Sequence, residues 1–493
     1  MLAPPEDPPT MADIAEEFAH AQLGNVSRTR RLCWLVELMS RAPDRSFPKA
    51  AGDDGDLEGI YRFLHSRHVT YDAMLQSHYI QTADRMAGAS RVLVLHDTTD
   101  GAYGGQRKGL GRLAGSLPGF LAHVSLAVAG DGTLRPLGAL NVYCWARTNE
   151  PKSKKSKNGR KLSGADYAKR EDKESERWME AVRLCRERAD AHQLVLHIAD
   201  REGDNFVFLA TMSVAGDRFV VRLAHNRAVG AEVVAGEQDL LRDVLEVAPV
   251  RAVRQVTLSR RLGNAAPGSQ ATHQPREQRE VTLEIRATTV ALQRPRYVDA
   301  SLPRYLPVHV VYVTEVNAPA DVEPVEWMLV TSEPIDTVEE ILQVVDDYRA
   351  RWLIEEFFKA LKTGCALEKR QLESIEALTN ALALFVPIAW QLLLLRNLSR
   401  SEPDAPATTV LTPTQIEVLT HFVPKAKLPE HPTVREVLFA VARLGGHIKN
   451  NGDPGWLVLG RGLIDLLQME RAWLAALDVA QRRRSDGTKL DQS

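Results

Sequence analysis

Three acidic residues lie far apart in the chain, yet their contexts could bring them together. Asp97 follows the apolar run "RVLVLH", Asp200 follows "LVLHIA", and Glu355 lies in "YRARWLIEEFFKALK". Both runs are short and β-rich, as expected of strands that are buried on both faces and stop at a carboxylate. Three uncompensated carboxylates repel one another, and a hard divalent cation such as Mg²⁺ relieves the repulsion. We therefore predict that Asp97, Asp200 and Glu355 form a metal site.

Metal-dependent phosphoryl transfer is the chemistry that such a site favours. Two ions roughly 4 Å apart can activate an attacking oxygen and stabilise a leaving oxygen during in-line displacement at phosphorus. A single aspartate at a strand end is more often a turn or helix-cap residue, so the prediction depends on the three acids meeting. A glycosidase that uses two acids is an alternative. The basic residues around Glu355 argue against it.

The helix predicted around Glu355 carries a charged stripe. At about 100° per residue, five polar residues share one narrow face, opposite an apolar face that is expected to pack on the core. They are Tyr348, Arg351, Glu355, Lys359 and Lys362. The stripe is predicted to face outward and spans about 20 Å, enough to follow several nucleotides of a phosphate backbone. A solvated helix face is the alternative, but three cations around one carboxylate favour an anionic partner.

The elements that must position these residues are predicted to form two or three domains. The chain is 44% hydrophobic, which is ample for a buried core, and its 493 residues are more than a single core usually accommodates. Residues 11–88 resemble short helices, and residues 226–325 alternate like an antiparallel sheet inserted between Asp200 and the helix of Glu355. The segment "GDG" at Gly130 predicts a hairpin turn. Residues after Leu372 are predicted to be helical.

Composition and targeting signals limit the function classes. The net charge is −2, from 62 basic and 64 acidic residues, so any nucleic-acid surface must be local. The four cysteines lack metal or disulfide spacing, and the N-terminus has no signal peptide, which together predict a cytoplasmic protein. The apolar run at 377–395 holds Asn380, Pro387 and Gln391. We therefore expect a buried core helix there, and no association with a membrane.

The spacing of the stripe resembles the signature of a known family. Tyr348, Arg351, Glu355 and Lys362 match the Y-(2)-R-(3)-E-(6)-K pattern of the insertion-sequence-4 group of bacterial DDE transposases. "DTT" at Asp97 and "ADRE" at Asp200 resemble the family's two aspartate motifs. "RTRRL", "YRF", "KESERW", "FVVR", "EWMLVTSEP", "LTP" and "ARLGG" occur in the family's order, so the likeness covers nearly the whole chain.

The resemblance implies an α/β fold with an RNase H-like catalytic core. This core, at 89–372, would contain the inserted antiparallel β-sheet at about 226–325. A helical DNA-binding domain at 1–88 and a helical dimerisation domain at 373–493 would flank it. The three acids would bind two Mg²⁺ ions, for which Mn²⁺ can substitute. The activity implied is cut-and-paste DNA transposition: strand nicking, hairpin formation and resolution at transposon ends, and strand transfer into target DNA.

The resemblance also implies DNA contacts. Tyr348, Arg351, Lys359 and Lys362 would hold phosphates of the DNA end. Trp327 would stack on a flipped base, although a Trp filling the core beside a strand is the alternative. The remaining implied contacts are Arg222 near the active site and Arg28, Arg31 and Arg62 at the end sequence. For the arginines at the end sequence, a solvated surface position is the alternative.

The prediction also covers the binding partners and the residues that differ from the family pattern. We expect binding to double-stranded DNA, at the inverted repeats and at the target, by a homodimer associated with the nucleoid. The basic tract at 152–161 and Asp100 depart from the family pattern, and Phe358 stands where a His is expected. The tract is expected to touch DNA or to be solvated. A catalytically silent, transposase-derived DNA-binding inhibitor is the alternative function, although all three acids are present.

Overall fold

One mixed sheet with helices packed around it makes up the centre of the molecule. The structure is a computed structural model that describes residues 14–40, 43, 45–113, 117–147, 174–230, 239–258, 277–320, 322–448 and 453–490. The strands are β1 (Arg91–Ala102), β2 (Gly111–Arg112), β3 (Pro118–Ala129), β4 (Pro136–Trp145), β5 (Leu194–Ala199), β6 (Arg218–Arg222), β7 (Ala228–Val229), β8 (Asp239–Leu240), β9 (Val250–Leu258), β10 (Arg279–Gln293), β11 (Tyr305–Val316) and β12 (Glu326–Thr331).

Helices precede, cross and follow the sheet. The α-helices are α1 (Glu16–Ala19), α2 (Val26–Ser40), α3 (Phe47–Ala50), α4 (Asp54–Leu64), α5 (Tyr71–Ala87), α6 (Glu174–Arg188), α7 (Phe206–Ala215), α8 (Leu241–Val247), α9 (Val338–Ala350), α10 (Trp352–Lys359), α11 (Ile375–Ser401), α12 (Pro413–Phe422), α13 (Val434–Leu444) and α14 (Trp456–Leu490). The 3₁₀ turns are Arg201–Gly203, Leu367–Lys369, Ala407–Thr409 and Pro424–Ala426, and a π-helix covers Ala360–Gly364.

The strand order brings the first half of the chain to one end of the sheet. Neighbouring strands follow the order β4-β3-β1-β5-β6-β12-β11-β10, in which β1 is antiparallel to β3 and parallel to β5. The strands β5 and β6 are also parallel, and α7 makes the crossover that a parallel pair needs. The antiparallel strands β9, β10 and β11 continue the same sheet through β12.

The first buried strand is longer than its sequence predicts. We expected it to stop at Asp97, but β1 continues to Ala102, so that prediction is wrong. The reason is its antiparallel neighbour, because β3 offers a partner at every position from Val124 opposite Asp97 to Gly119 opposite Ala102. The hairpin prediction is confirmed, since β3 ends and β4 begins on either side of Gly130–Gly132.

The apolar run at 377–395 lies inside α11, which is buried in the protein. Among the described residues this helix alone is long and apolar enough to span a membrane, and its most apolar window is 100% buried. Its polar groups bond to other parts of the chain: Asn380 donates to the carbonyls of Leu64 and Val69, and Trp390 donates to Pro136. The prediction of a core helix is confirmed.

The N-terminal helices lie directly on the sheet. The hydroxyls of Tyr71 and Tyr79 on α5 accept hydrogen bonds from the backbone N–H groups of Cys144 and Val142 on β4. Residues of the N-terminal helices, the sheet and the C-terminal helices belong to one hydrophobic cluster. The division into segments 1–88, 89–372 and 373–493 stays a prediction. The basic tract at 152–161 lies outside the described residues.

Candidate active site

The two aspartates meet at one edge of the parallel strand pair. His96 on β1 is in register with Ala199, the last residue of β5, so Asp97 and Asp200 are the next residues on neighbouring strands. Asp200 also caps the turn Arg201–Gly203, because its Oδ1 accepts a hydrogen bond of 2.8 Å from the backbone N–H of Glu202. Asp97 is partly buried within β1, and its Oδ1 accepts from the N–H of Thr98 at 2.8 Å.

Arg351 connects the third acid to the first. It lies between α9 and α10 and is the residue at which one helix ends and the next begins. Its Nη1 donates to Oδ2 of Asp97 at 3.2 Å, and its Nη2 donates to Oε1 of Glu355. A guanidinium presents its donors in a planar fork, so one arginine can hold two carboxylates at once. The structure therefore brings Asp97, Arg351 and Glu355 together.

Negative charge at this site is only partly compensated. Burial raises the pKa of Asp97 to about 7, and the neighbouring charge of Asp200 adds to the increase. Arg351 acts in the opposite direction, while Glu202 raises the pKa further. Sequence reasoning did not single out Glu202, although it belongs to the "ADRE" stretch. Asp97 thus lies near two further acids, Asp200 and Glu202, and one arginine, Arg351.

The donor set suits a hard divalent cation. Carboxylate oxygens are the ligands that Mg²⁺ prefers, and the raised pKa of Asp97 indicates a site in which more positive charge would be stabilising. In the described part of the chain, no three His, Cys, Asp or Glu side chains are arranged so that they could hold a metal ion. Here Arg351 occupies oxygens that an ion would need. The residues fit Mg²⁺ if Arg351 leaves these oxygens.

The head of the charged stripe points inward, which contradicts the prediction that the stripe faces outward. Tyr348 is only 5% exposed. Its ring meets Trp327 of β12 edge-on with centroids 5.3 Å apart, and its hydroxyl hydrogen-bonds with Arg222 of β6. The physical reason is that strands β6 and β12 lie under α9, so this helix is covered on the face that the wheel assigned to solvent. Arg222 also donates to the carbonyl of Glu326 at 2.9 Å.

The two lysines of the stripe are paired with acids. Lys359 Nζ lies 3.1 Å from Glu356 Oε1. Lys362, in the π-helix that follows α10, lies 2.7 Å from Oδ1 of Asp100. Asp100 is the acid that departs from the family pattern. These cations therefore already have carboxylate partners inside the protein.

Trp352 lies on the exposed side of α10. This residue is 53% exposed, and the ammonium of Lys359 lies 4.4 Å from the centroid of its ring. The buried side of α10 is formed by Ile354 and Phe357, and Trp352 lies outside it. Trp327 is half-buried against Tyr348, so the core position and the base-stacking role both remain open for it.

The predicted end-sequence arginines lie on the N-terminal helices. Arg28 Nη1 donates to the carbonyl of Leu23 at 2.9 Å. Arg31 lies 3.8 Å from Asp56. Arg62 lies 3.7 Å from Glu58 on its own helix, and about three quarters of each of these two side chains is exposed. The described contacts of these three arginines stay within the N-terminal helices. The structure does not bring them to the acids.

Comparison with known proteins assigns two domains to the chain. Residues 11–69 match the family model for transposase DNA-binding, and residues 171–386 match the model for the transposase DDE domain. The first match contains Arg28, Arg31 and Arg62, and the second contains Asp200 and Glu355. The chain therefore carries the DNA-binding and DDE domains of a transposase. These matches support a DDE transposase, a DNA-acting enzyme.

A solved structure with similarity over most of the chain is the cryo-EM structure of the piggyBac transposase synaptic complex with hairpin DNA. The similarity covers 94% of this chain and 79% of that one, with 8% sequence identity and a TM-score of 0.34. A TM-score of this size is too low for the likeness to bear on the fold or function of this chain.

Proposed function

We propose that the protein is a metal-dependent, cut-and-paste DNA transposase of the insertion-sequence-4 group. The observation that carries the proposal is the double contact of Arg351. It ties Asp97 of β1 to Glu355 of α10, beside Asp200 at the end of β5. This contact supports a site formed by three acids from remote parts of a chain that carries transposase domains.

The strand arrangement supports an RNase H-like core. In the unit β4-β3-β1-β5-β6 the first three strands are antiparallel, and β1, β5 and β6 are parallel. The acids lie on the two central strands and on a helix that follows the sheet. The antiparallel strands between β6 and β12 then form the insertion at about 226–325.

Asp97, Asp200 and Glu355 would hold two Mg²⁺ ions, or Mn²⁺ in their place. Such ions would supply activation of the attacking oxygen and stabilisation of the leaving oxygen. The protein's own residues orient the DNA. Arg351, placed beside the acids, would bind the phosphate next to the cleaved bond. Tyr348, fixed by Trp327 and Arg222, defines the wall against which the DNA end rests.

The reaction sequence that we assign begins with a nick at the transposon end. The freed 3′-OH attacks the opposite strand to give a hairpin, water opens the hairpin, and the 3′-OH joins target DNA. Hairpin formation requires a base to leave the stack, which costs a few kcal/mol, and an aromatic platform can return about 1–3 kcal/mol. Trp327 is assigned this role because it is half-buried beside Tyr348.

End recognition is assigned to the N-terminal helices. Arg28, Arg31 and Arg62 fall within the transposase DNA-binding match, and Arg62 is largely exposed. The chain would work as a homodimer on two transposon ends, with the C-terminal segment 373–493 providing the dimer contact. Lys359 and Lys362 would contact phosphates once they leave Glu356 and Asp100.

The test is cleavage of a duplex that carries the inverted repeats flanking the gene. We expect nicking in Mg²⁺ or Mn²⁺, no nicking in EDTA, and hairpin products after the nick. Tight binding of the repeats without cleavage in either metal would overturn the proposal and identify a DNA-binding inhibitor. The contacts of Arg351 with Asp97 and Glu355, and the position of Asp200 directly after β5, favour the enzyme.

A further inference from the structure

We propose that Arg351 is an exchangeable counter-ion of the catalytic acids, which competes with the divalent cation for their oxygens and moves to a DNA phosphate when the cation binds. This inference rests on the proposed function and deepens it, because it concerns how the same site is regulated. In the metal-free protein Arg351 keeps the acids together. On DNA it becomes a phosphate ligand.

The contacts of Arg351 are those of an internal cation. Its Nη1 and Nη2 bond to two different carboxylates, Asp97 and Glu355. The side chains of Arg351 and Asp97 are only 16% and 15% exposed, so little water screens this pair. A guanidinium stays protonated in proteins, so Arg351 is a permanent positive charge between Asp97 and Glu355.

Arg351 and a divalent cation require the same atoms. Oδ2 of Asp97 and Oε1 of Glu355 each accept a bond from the guanidinium, and an ion held between the two acids would need carboxylate oxygens of the same two residues. A divalent ion placed there would repel the guanidinium and take over its carboxylates. Arg351 would then be a half-buried cation without an anion, which is costly. A DNA phosphate beside the acids is the anion that relieves this cost.

Exchange couples the two ligands. If the cation must displace Arg351, and the phosphate stabilises the displaced arginine, each ligand strengthens the binding of the other by the same factor. The acids therefore remain neutralised by Arg351 in the absence of DNA and take up metal most readily when a DNA end is present. This arrangement limits metal-dependent cleavage to the assembled complex.

A different arginine provides a matched control. Arg183 on α6 also bonds to two carboxylates, Glu180 and Glu187, but these three side chains are about half exposed and none of the three acids is among the partners of Arg183. Replacing it removes a two-carboxylate arginine without touching the proposed site. Arg183→Gln is therefore expected to leave Mn²⁺ binding unchanged.

The experiment measures Mn²⁺ binding to the full chain without DNA, by electron paramagnetic resonance of free Mn²⁺. We expect Arg351→Gln to bind Mn²⁺ at least about fivefold more tightly than the wild type, within the range of site-to-site coupling. Arg351→Lys, which keeps the charge but cannot bond to both carboxylates through a planar fork, is expected to show a smaller increase. Glu355→Gln should lose the binding. Thermal unfolding of each variant checks that it is folded.

Two results would overturn the inference. One is Mn²⁺ binding by folded Arg351→Gln and Arg351→Lys that is no tighter than in the wild type. The other is absence of Mn²⁺ binding at the acids in the wild type and in both variants, which would also remove the metal site from the proposed function. Wild-type nicking combined with unchanged Mn²⁺ affinity in Arg351→Gln would refute the exchange alone.

Discussion

Two carboxylates in this molecule, one buried and one partly buried, both contact an arginine, yet their pKa values shift in opposite directions. Glu17 of α1 lies 2.5 Å from His78 Nδ1 and accepts from Arg85 at 2.7 Å. Burial acts to raise its pKa, but His78 and Arg85 together lower the pKa to about 2. At Asp97, burial and the charge of Asp200 outweigh Arg351, and the pKa rises to about 7.

The difference separates a carboxylate that is fully paired within the fold from one whose negative charge is only partly compensated. Around Glu17 every partner is fixed: the N–H of Ala139 donates to Nε2 of His78 at 3.0 Å, so the proton on Nδ1 faces Glu17. This network fastens α1 and α5 to β4. Around Asp97 the acids outnumber the cation, which suits a site that is completed by a ligand.

The largest expected effect is on catalysis. Asp97→Asn, Asp200→Asn and Glu355→Gln should each lower the nicking rate by roughly a thousandfold or more, since several kcal/mol of transition-state stabilisation are lost. Binding of the inverted repeats, measured by fluorescence anisotropy, should change little. The free energy of unfolding of metal-free Asp97→Asn should exceed that of the wild type by about 0.5–2 kcal/mol, because relief of charge repulsion at an active site commonly stabilises the fold. Retained nicking in any one variant would remove that residue from the site.

Glu17 provides the opposite case. Glu17→Gln should lower the free energy of unfolding at pH 7 by about 3 kcal/mol, because a pKa lowered from 4.5 to about 2 corresponds to that amount. The lowered pKa stabilises the fold above pH 4.5, and this contribution is lost as the pH falls from 4.5 towards 2. Denaturant unfolding at pH 7 and pH 3.5 checks both statements.

The matched control for Glu17 is its exposed neighbour. Glu16→Gln should change the free energy of unfolding by no more than about 0.5 kcal/mol, as expected of a surface substitution. If Glu17→Gln were as stable as Glu16→Gln, the pairing of Glu17 with His78 and Arg85 would not be structural, and the contrast with Asp97 would fail.

Trp327 tests whether a partly buried residue of the catalytic region acts in one step or supports the whole fold. Trp327→Ala should raise the activation free energy of hairpin formation by about 1–3 kcal/mol, which is the usual contribution of base stacking. The effect on the first nick should be smaller. Trp327→Phe should recover most of the loss because it retains a ring. Equal losses in both steps would indicate that Trp327 acts through its packing against Tyr348.

The smallest effect is expected at Asp100. The carboxylate of Asp100 lies 2.7 Å from Lys362 and is about half exposed. Asp100→Asn should therefore release Lys362 to contact DNA, and the free energy of DNA binding should improve by less than about 1 kcal/mol. Affinity for duplex DNA should rise up to about fivefold, and its dependence on salt should become steeper. Adding Lys362→Gln to this variant should cancel the gain. An unchanged affinity would mean that the acid–lysine pair is not exchanged on DNA.

Sequence patterns predicted the presence of helices and strands better than they predicted which other elements lie next to them. The runs before Asp97 and Asp200 were recognised as strands, and the hairpin at Gly130 and the core helix at 377–395 were recognised from composition and turn chemistry. These features depend on a residue and its near neighbours. The length of β1 was wrong because an antiparallel partner, β3, carries it past Asp97.

Burial on the helix of Glu355 could not be predicted from periodicity. A helical wheel places Tyr348 on the polar face, but the strands under α9 cover it, and the break at Arg351 separates it from α10. The same wheel does not distinguish an exposed Trp352 from a core tryptophan. Which face is covered depends on neighbouring elements, and these are distant in the sequence.

The sequence by itself determined which residues we expect to carry the chemistry: two aspartates after apolar strands, a glutamate on a basic helix, and arginines at the N-terminal end. Residue type and spacing suffice for this because metal ligands and phosphate contacts require particular side chains. Only the tertiary structure decided that Arg351 joins Asp97 to Glu355, that Asp100 holds Lys362, and that Glu17 is structural. Electrostatic balance depends on distance and burial in space, which no local pattern records.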